Sequence, residues 1–210
     1  MLNLFILLLE RVGLIILIAY ILMNINHFKT MMNEREKRRS QWQLIIIFGC
    51  FSMISNFTGI QIRGDEIING TVYNHLDPDA SLANTRVLTI GVSGLIGGPF
   101  VALAVAVISG MYRVYIGGAD AYIYLISSIF IALISGYFGY KAMRANRYPT
   151  IVKGACIGGT TEIIQMLCIL LFSDNTEHAW TLVKLIAIPM ISINSIGTAI
   201  FLSIILSTIK

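Results

Sequence analysis

NTRVLTIGVSGLIGGPFVALAVAVISGMYR, residues 84–113, is an apolar run closed by an arginine at each end and broken by Gly97-Gly98-Pro99. Proline suits the first turn of a helix and glycine the end of the one before it, so the triplet marks a bend. The stretch from Arg86 to Gly97, at about 1.5 Å per residue, covers roughly half a bilayer. The reading is a broken helical hairpin over 86–113 that brings Arg86 and Arg113 to one end of the bundle.

The surrounding chain supports a membrane setting. Of 210 residues, 56% are hydrophobic and 12% charged, with mean hydropathy +0.78. Soluble domains carry about 25% charged residues, so the class is a polytopic, all-α membrane protein. Apolar runs at 2–25, 43–60, 84–112, 121–140, 154–172 and 182–207 predict six full spans. The first run has neither the basic start nor the small-residue cleavage site of a signal peptide and reads as a retained helix.

Charge places the loops. Residues 26–42 hold Lys29, Arg35, Lys37, Arg38 and Arg39, and residues 141–153 hold Lys141, Arg144, Arg147 and Lys153. Both fit the basic bias of cytoplasmic loops, which puts the N-terminus outside and the C-terminus in the cytoplasm. An even number of crossings must separate them, and the divided run at 86–113 restores the parity. Residues 61–82 are acidic and belong outside, where Asn69-Gly70 predicts a type I′ turn in a short β-hairpin near 66–73.

The chemistry excludes several classes. The net charge of +4 lies in short loops with no basic stripe interleaved with aromatics, so nucleic-acid binding is not supported. Cys50, Cys156 and Cys168 lie in apolar segments without CxxC spacing, and His27, His75 and His178 are dispersed. No metal set, nucleophile-base pair or phosphate loop is visible; the chain reads as non-catalytic and without a cofactor.

Two arginines converging at a partly apolar rim make an anion site, since guanidinium matches a carboxylate bidentately and keeps its charge. Ser127 and Tyr124 on the following span, with Ser128 beside them, and Asn84 before Arg86 complete the candidate ligand set. The alternative for each arginine is snorkelling to lipid phosphate or pairing with Asp65, Glu66, Asp77 or Asp79. Glu162 and Gln165 lie within a span, where an acid is either functional or an internal partner, for instance of Arg11. Pro189 and Asn194 are candidate hinges in the last span.

LLLERVGLIILIAYILMN (7–24), SNFTGI (55–60), RGDEI (63–67), NTR (84–86), GLIGGP (94–99), MYR (111–113) and EIIQM (162–166) together resemble the membrane sensor region of the LytS/YehU family of bacterial sensor histidine kinases. The N-terminal segment looks closest to the Gram-positive LytS branch tied to autolysis and murein-hydrolase control. The resemblance implies one transmembrane sensor domain, 1–210, in the bacterial cell membrane, with a cytoplasmic kinase region following residue 210. It implies a homodimer that phosphorylates a LytTR-type response regulator. It also implies a small extracellular carboxylate of the pyruvate type, held by Arg86 and Arg113 with Ser127 as the hydroxyl contact; Tyr124 stands where a family relative has cysteine. A ligand-free sensor of membrane potential and a transport-type substrate-binding domain are the alternative readings.

Overall fold

The computed structural model describes residues 2–64, 66–70 and 75–209. Seven helices and three short strands follow in the order α1 (Leu2–Met23), α2 (Asn26–Asn33), α3 (Arg38–Phe57), β1 (Ile60–Arg63), β2 (Glu66–Ile68), β3 (Ser81–Ala83), α4 (Arg86–Ile116), α5 (Ala121–Arg144), α6 (Ile151–Phe172) and α7 (Thr176–Thr208).

Five helices, α1, α4, α5, α6 and α7, are long and apolar enough to cross a membrane. The expected count of six full spans therefore does not stand. α3 falls short of that measure of apolarity, because its Arg38, Arg39, Ser40, Gln41 and Gln43 dilute the apolar run behind them. The outward faces are apolar, as a hydrocarbon solvent requires: Leu2, Ile6, Leu9, Leu17, Tyr20 and Ile21 of α1 are all more than half exposed.

α4 carries the arginine pair. Its assignment runs unbroken past Arg113 to Ile116, but Gly98 inside it has φ 75° and ψ −170°, a region open essentially to glycine alone. Pro99 then removes an amide donor, and the carbonyl of Ile96 accepts from Arg35 Nη1 at 3.3 Å. An inserted arginine thus satisfies a backbone carbonyl beside the break. Both flanks of the break pack on α5. A Cβ on Gly136 would lie 2.6 Å from the Cα of Pro99, so only glycine admits this approach.

α3 lies along α4 from the break upward. Trp42 meets Phe100 edge to face, with ring centroids 5.5 Å apart, while fourteen positions later Asn56 Nδ2 donates to the carbonyl of Ser109 at 3.4 Å. The sheet, in the order β2-β1-β3, caps this end. β3 pairs antiparallel with β1 (Ile60↔Ala83, Ile62↔Ser81), which returns the chain to the end of α3 and launches α4 beside it. There Ser55 Oγ and Thr85 Oγ1 share a hydrogen bond of 2.9 Å.

The strand expected to begin near residue 66 is present. Glu66–Ile68 pairs backward onto Ile60–Arg63, with Arg63 opposite Glu66 and Gly64 at φ 58° in the turn. Gly64 supplies the left-handed residue that this tight turn needs. Thr71, Val72 and Tyr73, the expected second strand, lie outside the described residues. α7 runs as one helix through both candidate hinges, Pro189 and Asn194.

Candidate functional site

Arg86 opens α4 and is fully enclosed, with 1% of its surface exposed. Its Nη1 donates to the carbonyl of Tyr124 at 2.9 Å and to Ser128 Oγ, and its Nη2 donates to Gln165 Oε1 at 2.7 Å. Asn84 prepares this placement. Its Oδ1 accepts from the Arg86 backbone amide at 3.2 Å, satisfying an orphan donor at the helix start, and its Nδ2 donates to Asn56 Oδ1 at 2.8 Å.

Arg113 approaches from the other end of α4 and is 0% exposed. Its Nη1 donates to the carbonyl of Gly117. Tyr124 stands between the two arginines: the Arg113 guanidinium lies 4.5 Å and the Arg86 guanidinium 5.5 Å from its ring centroid. Both ends of α4 therefore meet one side chain of α5, and cation–π attraction replaces part of the lost hydration.

Three guanidinium nitrogens here, Arg86 Nε, Arg113 Nε and Arg113 Nη2, have no hydrogen-bond partner among the described residues, and neither does Gln165 Nε2. Arg86 and Arg113 form no ion pair among the described residues, Glu66, Asp77 and Asp79 included. Asp77 pairs with Arg63 at 3.4 Å, Glu66 sits in β2, and Asp65 lies outside the described residues. A small cavity of about 10 Å³ between Asn84, Arg86, Tyr124, Glu162 and Gln165 lies beside Arg86, with Tyr124 between it and Arg113. That is about one water, so a three-carbon acid enters only if these side chains move.

Ser127 is close to the site but turned differently from expectation. Its Oγ donates to Gln165 Oε1 at 2.7 Å, while Ser128 is the hydroxyl that receives Arg86. Ser128 sits one helical turn after Tyr124, so one face presents both the carbonyl and the hydroxyl to Arg86. Sequence reasoning had singled out Gln165 as an intramembrane polar residue without placing it; here its Oε1 serves both Arg86 and Ser127.

One turn back on α6, Glu162 is 0% exposed and its Oε2 accepts from Asn194 Nδ2 of α7 at 2.5 Å. It is not a partner of Arg11, which donates to Asn69 Oδ1 at 2.9 Å and lies 3.7 Å from Glu10. Glu162 Oε1, Asn194 Oδ1 and Thr198 Oγ1 have no partner. A buried polar seam thus runs from the arginines through Gln165 and Glu162 to α7. Among the described residues, no group of three His, Cys, Asp or Glu is arranged to hold a metal ion.

Residues 25–208 match the family model described as 5TMR of 5TMR-LYT. The chain belongs to this family. The LytS-family assignment extends over the whole sequence: the chain is 74% identical over 210 residues to the sensor protein LytS of Staphylococcus epidermidis and 69% identical to that of Staphylococcus haemolyticus. It is 61% identical to the sensor histidine kinase/phosphatase LytS of Staphylococcus aureus. Each match covers all of this chain and 36% of the relative, so the chain spans about a third of their length. No solved structure matches it. The chain is a LytS-family, multi-pass membrane sensor domain, and the arginine pair lies within its helices.

Proposed function

We propose that this domain detects a small extracellular carboxylate of the pyruvate type through Arg86 and Arg113 and passes the signal along α7 to a cytoplasmic kinase region. The carrying observation is the charge balance of the seam: two enclosed guanidinia, Arg86 and Arg113, against one enclosed carboxylate, Glu162. An ionised group inside a membrane is costly without a counterion, and an added carboxylate supplies the missing charge and takes the free N–H groups. Asn84, Tyr124, Ser127 and Ser128 shape the pocket around it.

In this reading α4 acts as a hairpin bent at Gly97-Gly98-Pro99, with both ends facing outward. Contacts of Arg86 and Arg113 with Tyr124, together with packing of the bend on Gly136, support that geometry. α3 then crosses with its polar start inside, the N-terminus lies outside and the C-terminus in the cytoplasm. The full protein works as a homodimer and phosphorylates a LytTR-type response regulator, consistent with the histidine-kinase naming of its relatives. Ligand occupancy shifts signalling only as far as it favours one arrangement of the seam over the other.

Isothermal titration of pyruvate into the chain in nanodiscs tests the reading. Saturable binding in wild type that disappears in Arg113→Gln supports it; equal binding in both removes the site. A second reading, sensing of membrane potential, draws on the same buried charges, since one charge crossing the field is worth about 2.3 kcal/mol per 100 mV. A potential-dependent conformational change in ligand-free liposomes favours it. Uptake of labelled pyruvate into proteoliposomes instead marks a transport-type domain.

A further inference from the structure

At the opposite end of the bundle from the arginine pair, a cavity of about 120 Å³ opens between the end of α5 and the start of α6. Phe138, Tyr148 and Ile157 give it apolar walls, and Lys141, Arg147 and Lys153 give it three cations. None of these cations has a carboxylate within ion-pair distance among the described residues, and the loop 141–153 contains no acid.

Two further features ask for an anion. Lys153 occupies the first turn of α6, the positive end of the helix dipole, where a lysine is unfavourable and an acid usual; no acid is present. Thr150 also lines the cavity, and its Oγ1 accepts only the Lys153 amide, at 3.3 Å. The amides of Ile151 and Val152 have no intrahelical acceptor, as at any helix start. The cavity is also held in shape. Arg35 Nη2 donates to the Arg147 carbonyl at 2.6 Å, the Arg35 guanidinium lies 3.6 Å from the Tyr148 ring centroid, and Tyr148 Oη donates to the Met32 carbonyl at 2.8 Å.

We propose that this cavity binds the phosphodiester headgroup of an anionic phospholipid, with Lys141, Arg147 and Lys153 on the phosphate and the acyl chains running down the exposed apolar face beside Phe138. A lipid is favoured over a free anion because the site opens where apolar surface is already exposed: Tyr137, Phe138 and Val152 are 58%, 41% and 72% exposed. Basic pockets between spans at the membrane surface recognise headgroups by this combination of charge and apolar wall. The site is independent of the carboxylate reading.

The test is native mass spectrometry of the full chain released from bilayers of equal phosphatidylglycerol and phosphatidylcholine, counting retained lipids. Wild type should retain phosphatidylglycerol preferentially. Each neutralisation among Lys141→Gln, Arg147→Gln and Lys153→Gln should lower that preference about fivefold, whereas Arg144→Gln, outside the cavity, should leave it unchanged. Equal retention of both lipids, or an unchanged preference in the triple variant, overturns the proposal. Displacement of the bound species by millimolar inorganic phosphate also overturns it, by showing a free-anion site.

Discussion

Replacing Gly98 with alanine should loosen the bend that brings Arg86 and Arg113 together. At φ 75° and ψ −170° an L-residue costs about 1–3 kcal/mol, because its Cβ meets the flanking peptide groups. Space adds less: the new Cβ would lie 3.2 Å from Met143 Sδ, a flexible neighbour that yields by a few tenths of an ångström. The net cost is therefore mainly backbone strain, and it should lower the folded-to-unfolded ratio roughly 5- to 150-fold. Reversible unfolding in mixed micelles titrated with dodecyl sulfate measures it. Gly13→Ala is the matched control: Gly13 lies inside α1 with nothing within 4 Å of an added Cβ, so alanine there should be neutral or favour the helix by up to about 1 kcal/mol. Equal stability of the Gly98→Ala and Gly13→Ala variants would refute the argument that the bend depends on a left-handed residue.

Ser128→Ala should cost about 1.5–3 kcal/mol in the same titration because Arg86 loses a hydroxyl acceptor, whereas Ser127→Ala, whose hydroxyl meets Gln165 and not the guanidinium, should cost less. Glu162→Ala should destabilise more than Glu162→Gln, since glutamine keeps an acceptor for Asn194 Nδ2 and adds a donor for its unpartnered Oδ1. Burial pushes the Tyr148 phenol up from 10 to about 12, with nearby Arg35 opposing the shift. Because the folded form favours the protonated phenol, its contribution is whole below about pH 10 and fades between 10 and 12. The alkaline loss of stability should accordingly be shallower in Tyr148→Phe.

The bend was legible because glycine and proline are the two residues whose backbone limits are read without a structure. So was the family, carried by short motifs spread along the whole chain. The hydroxyl partner was less legible: Ser127 and Ser128 are adjacent on one helix, and the choice between them depends on a rotation of α5 that its neighbours set. Span counting failed at α3 because the helix begins at Arg38, so polar residues ahead of the apolar run 43–60 share it and lower its hydropathy. Arg35 reads as one more loop cation, yet it reaches the carbonyl of Ile96 and the backbone of Arg147. No local pattern announces a contact over such separations.

The central claim, that Arg86 and Arg113 form one carboxylate site, is tested most directly by calorimetric binding of pyruvate to nanodisc-embedded chain, wild type beside Arg86→Gln and Arg113→Gln. Circular dichroism and unfolding checks would establish that the variants remain folded. Binding in wild type that is lost in each folded variant is the predicted result. Undiminished binding in either variant, or no binding by wild type across a panel of small carboxylates, would contradict the account.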